Sequence, residues 1–183
     1  VVNPAIAIKA AESGLVEMIL FSVNPAFDLM PPTENIENYF ADTYANGLNG
    51  VDPVRIRMYK ICEQQSVGIT CMKPFAGGRL FDAKRSPFGV ALTPVQCIHY
   101  ALTKPGVASV LCGYDTPEQV DAAVAYETAS DSEKDYATVL AGAPQHTFAG
   151  GECTYCGHCK PCPVDIDIAM VNKLYDLAVM QPE

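Results

Sequence analysis

The chain is expected to fold as an α/β protein built around a parallel sheet. Three observations predict this. A helix-start signal recurs four times, three short apolar runs lie between those starts, and the two kinds of segment alternate along the sequence. Strictly alternating helices and strands imply right-handed crossovers and parallel pairing.

Each helix start joins a capping residue to a proline: Asn3-Pro4, Asp52-Pro53, Thr93-Pro94 and Thr116-Pro117. The side-chain oxygen caps amides that have no partner within the helix, and proline suits the first helical position. The helices expected from these starts run over Ala5–Ser13, Val54–Gln65, Val95–Thr103 and Glu118–Tyr126, with Gly14 and Gly106 as natural stops. The apolar runs are Val16–Val23, Val67–Met72 and Val107–Cys112. They are dense rather than alternating, which suits strands covered on both faces.

Two long connections, Asn24–Val51 and Lys73–Leu92, follow the first and second strands. Loops of that length are commonly functional, and both sit at strand carboxyl ends, where α/β folds place their sites. Asn35–Asp42 is compatible with a short helix within the first. Ser130 and Glu133 form a capping box that predicts a further helix to about Leu140. Gly142–Gly151 reads as a linker, and Asp167–Val179 as a closing amphipathic helix. The division is a barrel-like part over 1–141, then a linker and cysteine segment over 142–183.

That segment contains Cys153, Cys156, Cys159 and Cys162, two residues apart and followed by Pro163. A cysteine every third residue can wrap a cubane cluster, and the pattern points to [4Fe–4S]. Structural zinc is the rival, although zinc ligands more often come as two separated pairs. Cys162 either completes this cluster or belongs to a second one, and His158 reads as a spacer. Cys62, Cys71, Cys97 and Cys112 stand alone in apolar surroundings and read as buried free thiols of a reducing compartment, the cytoplasm.

The net charge of −9 and the scatter of the 12 Lys and Arg residues argue against nucleic acid and anionic membrane as partners. No apolar run approaches the roughly 20 residues of a membrane span. The start at Val1-Val2-Asn3 reads as a cut end, so a piece of a longer protein is expected.

The second strand runs into Lys73-Pro74-Phe75-Ala76-Gly77-Gly78-Arg79, where glycines let backbone amides approach an anion. An ordinary glycine turn is the alternative. The third strand ends in Cys112-Gly113-Tyr114-Asp115-Thr116-Pro117, again a glycine turn against a helix start, and a good seat for phosphate. His99, within a helix pattern, reads as a packing residue.

Taken together, NPAIAIKAAESG, ILFSVNPAFD, GITCMKPFAGGRL, SPFGVALTPVQCIHYAL, GVASVLCGYDTPEQVDAA and the cysteine segment resemble the C-terminal half of an aldo/keto reductase of the iron–sulfur, ferredoxin-tailed type. The resemblance covers nearly the whole chain. It implies strands six to eight of a (β/α)8 barrel and hydride transfer between NAD(P)H and a small carbonyl substrate. It places Ser22 at the nicotinamide amide and Met72 where an aromatic ring often stacks. Lys73, Pro74, Phe75 and Gly77 fall at the pyrophosphate, and Gly113, Tyr114, Asp115 and Gln119 around the adenosine end. Asp115 stands where many members carry a cation for the 2′-phosphate of NADPH, and Ala122 and Ala123 replace common adenine contacts. The family's catalytic Asp, Tyr, Lys and His belong to the first half of the barrel, so no catalytic residue is assigned here. A half barrel has open edges, and pairing with a second copy is expected.

Overall fold

The computed structural model describes residues 3–29, 50–143 and 162–175, less 169 and 173. Its first helix, α1 (Pro4–Glu12), begins at the proline itself. The Asn3 side chain accepts hydrogen bonds from the Ala5 and Ile6 amides. Strand β1 (Met18–Ser22) follows, and then a four-residue helix α2 (Pro25–Asp28) capped by Asn24. The Asn24-Pro25 pair is a fifth capping residue–proline start, hidden from the sequence because no helical periodicity follows it.

Helix α3 (Pro53–Gln64) is capped by Asp52, and leads to β2 (Gly68–Met72). The connection after β2 carries a 3-10 helix over Ala76–Phe81. Helix α4 (Pro94–Leu102) opens with a reciprocal capping box between Thr93 and Gln96 and precedes β3 (Val107–Leu111). Helix α5 (Pro117–Val124) ends in a 3-10 turn at Ala125–Glu127.

The helix expected from Ser130 to Leu140 is two helices, α6 (Asp131–Lys134) and α7 (Tyr136–Ala141). The break falls at Asp135, whose carboxylate caps the Thr138 amide at 2.9 Å while its carbonyl accepts from Gln96 Nε2 at 3.0 Å. A second cap and a tertiary bond thus win over helix propagation. Asn35–Asp42 lies outside the described residues. Of Asp167–Val179, the part within the described residues has helical turns, with the Met170 amide on Asp167 Oδ1 and Asn172 Nδ2 on the Ile168 carbonyl.

The three strands form one parallel sheet in the order β1-β2-β3, and the sheet does not close. Ile19, Phe21, Ile69 and Cys71 bury one face against Ala7, Ile8 and Ala11 of α1, Met58, Tyr59 and Cys62 of α3, and Tyr100 and Ala101 of α4. Gly106, at φ +76°, precedes β3, and a Cβ there would come within 3.4–3.5 Å of Glu63 N and Cys62 Cβ.

Among the described residues only one face of the sheet is covered. Met18, Leu20 and Leu111 are 64%, 43% and 56% exposed on the other face. Thr70 and Ser109 share it, linked hydroxyl to hydroxyl at 3.1 Å. The apolar density of the runs signals a second covering layer, but among the described residues the core helices α1, α3 and α4 pack on one side. Among the described residues no helix is long and apolar enough to cross a membrane.

Beneath the sheet's carboxyl end lies a buried polar network. Arg55 Nε donates to Asp28 Oδ1 at 2.6 Å, and Arg55 also donates to the Ser22 carbonyl. The Tyr59 hydroxyl lies 2.9 Å from Asp28 Oδ2, and that of Tyr100 3.1 Å from the same atom. Burial disfavours the charge on Arg55, yet Asp28 and Tyr59 beside it carry its pKa above the ordinary value.

Lys104 is also buried, with Nζ 3.6 Å from the centre of the Tyr100 ring, and burial lowers its pKa to about 8. Burial raises the thiols of Cys71 and Cys97 to about 12. The signs are opposite. The unfolded chain binds a proton at Lys104 that the folded one releases above about pH 8, so stability rises from there. Above pH 9 the folded state keeps two thiol protons that the unfolded state loses, so stability falls. Each group contributes ~1.4 kcal/mol per pH unit between its two pKa values. Urea midpoints measured across pH 7–11 are therefore expected to peak near pH 9.

Candidate functional site

A cleft of about 660 Å3 opens at the carboxyl ends of β2 and β3. Lys73, Pro74, Phe75, Gly77, Gly78 and Phe81 form one wall, and Gly113, Tyr114, Asp115 and Gln119 the other. Eight of the ten residues expected at a dinucleotide come together here. Ser22 and Met72 do not line the cleft. They pair in register at the adjoining ends of β1 and β2.

The first wall is shaped by backbone conformation. Lys73 and Ala76 have φ of 56° and 49°, in the left-handed region that non-glycine residues avoid, and Gly77 and Gly78 follow at 69° and 79°. A run of such conformations at a cleft marks local strain of ~1–3 kcal/mol per non-glycine residue, held by its surroundings. Those surroundings are a second core of Phe27, Phe75, Ala76, Leu80, Phe88, Leu92 and Ile98, which fastens the turn to α4. Cβ atoms built on Gly77, Gly78 or Gly113 meet nothing within 4 Å. These glycines border open space.

The second wall ends in the first turn of α5. Thr116 sits at its cap but makes no side-chain capping bond, and Gln119 Oε1 instead accepts from the Asp115 amide at 2.8 Å. The Glu118 carboxylate accepts from its own amide and from the Thr116 hydroxyl, which lowers its pKa. Tyr114 is pushed up to about 12, first by burial and then by the Cys112 thiol it contacts. Lys73 thus supplies a cation, the helix terminus a partial positive charge, and Asp115 a negative one.

Ser22 is 2% exposed, and its Oγ has no hydrogen-bond partner among the described residues.

Sequence reasoning missed Asn24, Asp28, Arg55 and Tyr59. Only the Asn24-Pro25 dipeptide carried a readable signal. His99 behaves as expected of a packing residue: Nδ1 lies 3.2 Å from the Tyr126 hydroxyl, and burial lowers its pKa. Cys62, Cys71, Cys97 and Cys112 are free thiols, the first three buried.

Cys153, Cys156 and Cys159 lie outside the described residues. Cys162 is a half-buried free thiol, and its carbonyl accepts from the Asp165 amide at 3.0 Å, closing a turn after Pro163. Among the described residues no group of three or more His, Cys, Asp or Glu side chains could hold a metal ion.

No family model matches this chain, and no curated protein or solved structure matches it.

Proposed function

We propose that the cleft binds the diphosphate and adenosine end of a nicotinamide dinucleotide, and that the chain is part of an oxidoreductase of the aldo/keto reductase type. In that proposal β1, β2 and β3 are the last three strands of a (β/α)8 barrel. The supporting observation is the convergence of Lys73, Gly77, Gly78, Gly113, Tyr114, Asp115 and Gln119 on one cleft at parallel strand ends.

The donor set fits such a group. Gly77 and the Lys73 ammonium on one wall suit the diphosphate, and Tyr114 on the other suits a ribose or purine face. Bound nicotinamide supplies the hydride for a carbonyl carbon. The chain's own residues bind and orient it, and no described side chain is assigned as proton donor.

Asp115 disfavours a 2′-phosphate by like-charge repulsion, so NADH is the preferred form. The Cys153, Cys156, Cys159 and Cys162 run holds a [4Fe–4S] cluster in the same proposal, in the cytoplasm, with carbonyl compounds as substrates. The exposed sheet face and its free edges suit a second barrel half or a second copy.

Titration of NADH into the full chain, followed by nicotinamide fluorescence, tests the cleft. Saturable binding tighter than about 1 mM is expected, with NADPH weaker. Failure to saturate overturns the assignment.

A further inference from the structure

Asn24 is fully buried at the end of β1 and bonds in two directions. Its Oδ1 accepts from the Phe27 amide at 3.0 Å and so caps α2. Its Nδ2 donates to the Lys73 carbonyl at 2.7 Å, across 49 residues of sequence. That carbonyl also accepts from the Ala76 amide at 3.1 Å, so both of its lone pairs are engaged. The neighbouring backbone adds a third tie, with the Val23 amide on the Met72 carbonyl at 3.2 Å.

Serine, threonine or aspartate caps a helix as well as asparagine does. Asparagine adds an amide donor beside its acceptor at that length. The second function is spent on Lys73, a residue with φ 56° whose turn forms one wall of the cleft. At its other end α2 finishes in Asp28, which Arg55, Tyr59 and Tyr100 hold in the core. Helix α2 is therefore a bracket, with one end fixed in the buried network and the other gripping the cleft's strained turn.

We infer that Asn24 is a positioning residue for the diphosphate-binding turn: it touches no ligand, and it fixes Lys73 in the left-handed conformation that sets the course of the Lys73–Gly78 backbone along the cleft wall. This role rests on the dinucleotide assignment above. It separates capping from clamping, so two variants divide them. Asn24→Ser and Asn24→Asp keep an acceptor for Phe27 and lose the donor to Lys73.

The test is a double-mutant cycle on NADH affinity in the full chain, with Lys73→Gly as the second site; loss of the ammonium weakens NADH binding by itself, and the cycle compares only the effect of the Asn24 change within each background. Glycine adopts positive φ without a clamp. In the native background Asn24→Ser is expected to weaken NADH binding about tenfold. In the Lys73→Gly background the same change is expected to cost less than about twofold. A general loss of stability would cost the same in both backgrounds, and that result overturns the role. So does native-like NADH affinity in Asn24→Ser. Should that variant fail to fold, Asn24→Asp serves in its place under the same criteria. Absence of NADH binding by the unaltered chain removes the cleft assignment and this role together, whereas native binding that Asn24→Ser leaves untouched removes this role alone.

Discussion

Replacing Asp28 with asparagine is expected to destabilise the fold by about 3–5 kcal/mol, a large share of the ~5–15 kcal/mol available to a domain. The cause is not the loss of one contact. Arg55 and Asp28 are 4% and 0% exposed at the side chain, and Arg55 donates to the Asp28 carboxylate and the Ser22 carbonyl. Removing the carboxylate's charge leaves a buried guanidinium without its counter-ion. The hydroxyls of Tyr59 and Tyr100 lose a charged acceptor as well. Urea unfolding reads the effect as a lowered midpoint. The double variant Asp28→Leu, Arg55→Met removes both charges and is expected to lie closer to the native protein than Asp28→Asn does. A midpoint for Asp28→Asn within error of the native value would show that the network is solvated.

The second large effect concerns the cysteine run. The full chain purified without oxygen is expected to be brown and to carry about four irons. Cys156→Ser is expected to reduce that to below about one, since a cubane deprived of a thiolate ligand is lost or degraded. One zinc per chain and no iron would replace the cluster with a structural zinc site. Cys162→Ser resolves the remaining ligand question. Loss of iron comparable to Cys156→Ser assigns Cys162 to this cluster, and retention assigns it elsewhere.

What could be read in advance was local. Asn3, Asp52 and Thr93 each cap with their own side chains before a proline, and a motif of two residues suffices to announce that. The cleft was legible for the same reason. Gly77-Gly78 and the Gly113–Pro117 turn are local signals, and parallel topology brings successive strand ends together.

What escaped was long-range or frustrated. Asp28 meets Arg55, Tyr59 and Tyr100 across 27, 31 and 72 residues, and nothing near Asp28 in sequence marks it as buried. The break at Asp135 needed Gln96 from another helix. Met18, Leu20 and Leu111 implied a covering layer that the described helices α1, α3 and α4, packed on the opposite face, do not provide. Thr116, which has the sequence of a cap, makes no side-chain capping bond at the start of α5, beside the cleft. Glu118 takes the place of the cap there, its carboxylate accepting from its own amide and from the Thr116 hydroxyl.

The central claim is that a dinucleotide's diphosphate lies against the Lys73–Gly78 turn. A crystal structure of the full chain grown with NADH measures this directly. The diphosphate is predicted within hydrogen-bond reach of the Gly77 amide and the Lys73 ammonium, with the adenosine beside Tyr114. Ordered NADH on any other surface, with this cleft empty, would contradict it.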